Sequence, residues 1–143
     1  MKNTMIATSV SISKRMIEAG FDARTADMRY IHMECVDDIG YSAHVWLLEP
    51  KDICVEDEDV IETVPSWSLT SLIELLPYEI KVVELDTNLG KSYYLNLGKS
   101  PDDYYVQYVN DLNIPITYLR FTGHELVCCV WIMLMELKEK GLI

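Results

Sequence analysis

No stretch of this chain is apolar for long enough to cross a bilayer. The longest uninterrupted run, residues 126–135, stops after ten residues at Glu136, whereas a spanning helix needs ~18–20. Basic residues are also scarce: 12 Lys and Arg stand against 23 Asp and Glu in 143 residues, a net charge of −11. Proteins that hold phosphates do so with clustered Lys and Arg, so neither nucleic acid nor an anionic membrane surface is an expected partner. The first 16 residues, MKNTMIATSVSISKRM, lack the charged start, solid apolar segment and cleavage site of a secretory signal, and a cytoplasmic protein is the expectation. No CxxC pair occurs. Cys35 and Cys54 are far apart, and Cys128 and Cys129 are neighbours that a helix would point about 100° apart. That spacing is no disulfide framework, and all four thiols are expected to be reduced and mostly buried as small hydrophobes.

What is present is enough apolar material for one core. Half the residues are hydrophobic, and a chain of this length buries roughly 68–70% of its unfolded surface, so residues 1–143 are read as a single domain. Residues 9–19 form a short amphipathic helix, with Thr8 or Ser9 as its cap, Gly20 at the C′ position and Phe21 folding back as in a Schellman end. An ordered loop follows, in which Thr25, Asp27 or both are expected to make local side-chain to backbone bonds. Alternation over residues 30–36 and 41–48, around an Asp37-Asp38-Ile39-Gly40 turn, predicts a hairpin. Ser66 and Ser68 offer two caps for a helix whose Leu69, Leu72, Ile73 and Leu76 share one face, closed by Pro77. From residue 78 to 121 the period changes to two, and strands at 79–85, 92–97, 104–109 and 116–121 predict an antiparallel meander. Thr122 and Glu125 spell a T-x-x-E capping box for a last helix of about 18 residues that ends at Gly141. The fold class expected is α+β: an antiparallel sheet of three to five strands packed by a long C-terminal helix and two shorter helices. Trp67, Leu69, Leu72, Ile73, Leu76, Trp131, Leu134 and Leu137 are its expected core.

Charge is concentrated between residues 49 and 62, where seven acids face the single base Lys51. An acidic loop at about 49–64 is expected, read first as a solvated stretch that self-repels and aids solubility, with Glu56, Asp57, Glu58 and Asp59 as candidate contacts for a basic partner in the sharper reading. Asn-Leu-Gly-Lys-Ser occurs at 88–92 and again at 96–100, but a phosphate loop needs a Gly where Leu85 and Tyr93 stand. The two pentapeptides are read as turns, each Gly taking a positive φ. His32, Cys35 and His44 are the only local metal-ligand candidates; three scattered residues rarely bind zinc, and no metal site is assigned. No G-x-S-x-G occurs, and Cys128 beside His124 is read as a structural thiol. Tyr93, Tyr94, Tyr104, Tyr105, Tyr108 and Tyr118 are expected to cover a sheet face, with an aromatic ligand surface as the sharper reading. No catalytic residue and no cofactor are assigned.

Three segments taken together carry a resemblance. They are Ser13-Lys14-Arg15-Met16-Ile17-Glu18-Ala19-Gly20 with Thr25-Ala26-Asp27-Met28; Pro65-Ser66-Trp67-Ser68-Leu69 with Glu74-Leu75-Leu76-Pro77; and the apolar C-terminal helix closing on Lys140-Gly141-Leu142-Ile143. In these the chain resembles small uncharacterised proteins encoded by bacteriophages, prophages and other mobile elements of gut anaerobic bacteria. The resemblance implies an accessory protein of a bacterial cytoplasm and brings no activity, cofactor or catalytic residue. The function expected is therefore a small acidic, non-enzymatic interaction protein whose partner is another protein. One alternative is a ligand binder or enzyme using the Tyr-rich sheet, with His44 or His124 as the titrating group. Another is a structural homo-oligomer, such as a homodimer through the C-terminal helix.

Overall fold

The computed structural model describes residues 6–52, 60–83 and 90–143. The fold is α+β, with the strands distributed over two antiparallel sheets and the last helix packed on one of them. The chain divides into two compact units, Ile6–Ser71 and Leu72–Ile143.

The first unit opens with α1 (Val10–Glu18). Ser9 caps it, its hydroxyl accepting from the Ile12 amide at 3.2 Å. Its end is a Schellman motif: Gly20 has φ +94°, its N–H bonds Ile17 O at 3.0 Å, and the Phe21 N–H bonds Met16 O at 3.1 Å. Both reach carbonyls that the helix leaves open. A single 3-10 turn, Ala23–Thr25, is capped by Asp22. A three-stranded sheet of order β2-β1-β3 follows, made of β1 (Met28–Val36), β2 (Ser42–Pro50) and β3 (Val60–Ser66). The hairpin turn is a five-residue loop in which Asp37 Oδ1 accepts from the amides of Ile39 and Tyr41 and Gly40 has φ +92°. β3 departs from the expected loop at 49–64: strands claim both ends of that stretch, since β2 runs on to Pro50 and β3 starts at Val60. The β-branched run Val60-Ile61-Glu62-Thr63-Val64 pairs well, and Pro65 is tolerated because β3 is an edge strand.

α1 packs on β3, and a buried hydroxyl cluster fastens the two. Thr8 Oγ1 lies 2.7 Å from Ser13 Oγ and accepts from the Trp67 amide at 3.0 Å, while Ser66 Oγ donates to Thr8 O at 2.8 Å. Thr8, Ser13 and Ser66 are fully buried, so each hydroxyl needs a partner, and the cluster supplies it. Ser68, rather than Ser66, caps α2 (Leu69–Leu75), its Oγ accepting from the Ser71 amide at 3.3 Å.

In the second unit β4 (Glu79–Val83), β5 (Gly90–Lys99), β6 (Tyr104–Val109) and β7 (Pro115–Gly123) form the expected meander in the order β4-β5-β6-β7. α3 (Leu126–Glu139) packs on β6 and β7. Val106, Tyr108 and Leu119 of the sheet and Val127, Val130, Leu134 and Leu137 of the helix are buried. Of the expected core, Trp67, Leu72, Leu76, Leu134 and Leu137 are buried, whereas Leu69, Ile73 and Trp131 are half-buried. α3 ends as expected in a Schellman motif at Gly141, φ +69°, with Leu142 N–H on Leu137 O at 2.9 Å. Its start differs. Thr122 is extended and paired opposite Tyr105 in β7, so the capping box does not form, and the cap residue Glu125 makes no side-chain cap bond. The helix is 14 residues long, not about 18.

The repeated pentapeptide is also corrected. Gly90 and Gly98 belong to β5, and neither has a positive φ. Gly98 stands directly opposite Tyr105, whose ring covers it so closely that a Cβ there would lie 2.3 Å from the phenol oxygen. The glycine is required for close approach rather than for a turn.

Candidate functional site

The acids Glu56, Asp57, Glu58 and Asp59 lie outside the described residues, as does Cys54. The acids at the two ends of that stretch are engaged locally. Glu49 accepts from Arg29 at 2.8 and 3.0 Å, and Glu62 lies 3.8 Å from Lys14 Nζ and 3.6 Å from His32 Nδ1.

The densest set of chemically versatile side chains is on one face of the three-stranded sheet. Alternation places Tyr30, His32 and Glu34 of β1 on that face. The register then sets Trp46 and Glu62 on either side of His32, and His44 opposite Glu34. His32 stacks on Trp46 with centroids 4.3 Å apart and planes at 12°, and Tyr30 meets Trp46 edge-on at 6.4 Å. His32 Nε2 and His44 Nδ1 are 3.0 Å apart, one ring donating and the other accepting. His32 Nδ1, on the far side of the ring, is buried and makes no hydrogen bond; Glu62 faces it at 3.6 Å. Burial raises the pKa of Tyr30.

Of the three metal-ligand candidates, the structure thus brings His32 and His44 together and separates Cys35. Three positions along β1 from His32, Cys35 points to the opposite face and is exposed, which corrects the expectation of a buried thiol. Among the described residues no group of three or more His, Cys, Asp or Glu side chains converges as a metal site. Sequence reading missed the contribution of Trp46 and Glu62. The His-x-Glu and His-x-Trp alternations flanking one turn are the available signal for Trp46, while Glu62 is hidden because the acids around it give β3 the composition of a loop.

The second constellation is the distal half of the β1–β2 hairpin, residues 34–47, exposed throughout. Val36, Ile39, Tyr41, Val45, Trp46 and Leu47 are large apolar side chains left open there, with Ile39 82% and Tyr41 74% exposed.

The remaining candidates do not assemble. His124 precedes α3 and lies 2.9 Å from Asp103, so it shares no helix face with Cys128. Burial raises the thiol pKa of Cys128 and of Cys129, with Glu125 adding to the first and Cys128 and Asp103 to the second; both oppose a thiolate nucleophile. The tyrosines do not share one surface. Successive residues of a strand face opposite ways, so Tyr93 and Tyr94 divide between the two faces, as do Tyr104 and Tyr105. Tyr108 is fully buried, donates to Pro77 O at 2.7 Å and has its pKa raised by burial. No helix among the described residues is long and apolar enough to cross a membrane. Comparison with protein-family models, with curated proteins and with solved structures finds no match to this chain.

Proposed function

We propose that this chain is a non-enzymatic interaction protein of phage or mobile-element origin, working in a bacterial cytoplasm, that engages another protein with a basic surface. The observation carrying this reading is the β1–β2 hairpin, which leaves six large apolar side chains exposed: Val36 and Trp46 on one face, Val45 and Leu47 on the other, and Ile39 and Tyr41 in the turn between them. Exposed apolar groups at that density are characteristic of docking surfaces. Asp37 and Asp38 lie at the hairpin tip, and the acidic stretch 49–62 continues from β2. Apolar contact supplies affinity, and the surrounding negative charge selects a partner rich in Lys and Arg and speeds encounter.

The test is affinity capture from phage-infected host lysate at low and high salt. It compares the natural chain with two variants, one with Glu56, Asp57, Glu58 and Asp59 replaced by neutral residues and one carrying Ile39→Ser and Tyr41→Ser. The same partner should be depleted by high salt and by each variant, by about tenfold for a 1.4 kcal/mol loss. A partner retained equally by all three proteins at both salt levels would refute the reading.

A further inference from the structure

We propose that His32 and His44 form a two-nitrogen binding site for a borderline divalent transition ion, Cu2+ or Zn2+, on the face of the three-stranded sheet. His32 Nε2 and His44 Nδ1 are 3.0 Å apart. Two imidazole nitrogens bound to one ion at ~2.0–2.1 Å stand about 2.9 Å apart at a right angle and about 3.3 Å apart at a tetrahedral one. The observed spacing falls between these values, but ring centroids 5.2 Å apart aim the two nitrogens nearly head-on at each other. An ion is therefore admitted by rotation of the exposed His44 ring while stacking on Trp46 holds His32.

The surroundings of His32 match what a ligating histidine requires. Its ring is held by stacking on Trp46 at 4.3 Å, so Nε2 has a fixed direction. A ligating imidazole generally presents its other N–H to a carboxylate, which fixes the tautomer and raises basicity. Here that second nitrogen is Nδ1, a buried atom without a hydrogen bond, and the carboxylate of Glu62 faces it at 3.6 Å. A proton on Nδ1 gives Glu62 something to accept and frees the Nε2 lone pair for the ion. On His44 the proton moves from Nδ1 to Nε2, which this exposed residue can present to water, so both rings ligate as neutral imidazoles without net loss of a proton.

Two nitrogens make an open site. Water fills the remaining positions, because among the described residues no third His, Cys, Asp or Glu side chain converges on the pair. Imidazole suits both ions, and Cu2+ is favoured over Zn2+ at equal availability.

The experiment is titration of the full chain with Cu2+ and, separately, with Zn2+, followed by calorimetry and tryptophan fluorescence. A Cys35→Ser, Cys54→Ser background removes the thiol that is exposed among the described residues and the one that lies outside them. Binding of one ion per chain is expected, with Cu2+ quenching the fluorescence of Trp46. His44→Gln should weaken binding at least tenfold, and Glu62→Gln by about 10–100-fold. Trp46→Phe should remove most of the quenching while leaving the heat of binding. Neutral replacement of Glu56, Asp57, Glu58 and Asp59 should leave the affinity unchanged, which separates this site from the acidic stretch and from the partner reading above. His44 is exposed, so its variant tests the site without threatening the fold. Absence of saturable binding, or an affinity that His44→Gln leaves intact, overturns the proposal.

Discussion

Asp27 shows how much of the first unit rests on one side chain. Its carboxylate accepts from the Ser68 amide at 2.9 Å, from the Ser68 hydroxyl and from Ser71 Oγ at 2.8 Å, tying the loop after α1 to the start of α2. Burial raises its pKa, but the donors from Ser68 and Ser71 outweigh that, and the net value lies below the ordinary 3.8. A carboxyl with a depressed folded pKa gives stability that is complete above the unfolded value and disappears as pH falls through the folded one. Asp27→Ala should therefore cost about 1 kcal/mol at neutral pH, and its stability should fall less steeply than that of the natural chain as pH is lowered below 3.8. Urea unfolding across that range checks both. At Gly98 the expected effect is steric. A Cβ there would meet the Tyr105 ring at 2.3–2.5 Å, so Gly98→Ala should destabilise by about 1–3 kcal/mol, measured as a lower urea midpoint. Neither role was legible from sequence. Local rules offer Asp27 only bonds within its own loop, whereas its partners Ser68 and Ser71 are 41 and 44 residues away, and Gly98 carries the signature of a turn.

At the scale of elements, legibility followed whether the deciding physics was local. α1 was readable at both ends because Ser9, Gly20 and Phe21 act on their own turn, and the C-terminal stop of α3 at Gly141 was readable for the same reason. Gly20→Ala forces a Cβ into φ +94° and should cost about 1–2 kcal/mol, seen as a shift in denaturation midpoint with an unchanged m-value. The start of α3 was misread because the pairing of Thr122 with Tyr105 across the sheet outweighs a capping box worth about 1 kcal/mol. β3 was misread because its acids dominate the composition, although its β-branched residues pair with β1. The candidate site suffered most from this. His32 and His44 were visible as a pair across a turn, but Glu62 reaches His32 only through β3, and nothing local announces it.

For the whole molecule the governing quantity is charge. Residues 6–71 hold 13 acids against 5 bases, so the greater part of the −11 lies in the unit that carries the hairpin. Self-repulsion of this kind opposes compaction and is screened by salt. Thermal melts should accordingly shift upward between low and moderate NaCl, and a flat response would mean that the acids are already compensated. The outer edge of β2 has a separate consequence. The strand has β1 on one side and, among the described residues, no strand on the other, and from Ser42 to Leu48 it has no proline and no charged residue to guard it. Every second amide therefore points outward to solvent. Hydrogen exchange along β2 should alternate between fast and protected amides with a period of two, and a chain that adds itself along this edge would erase the alternation.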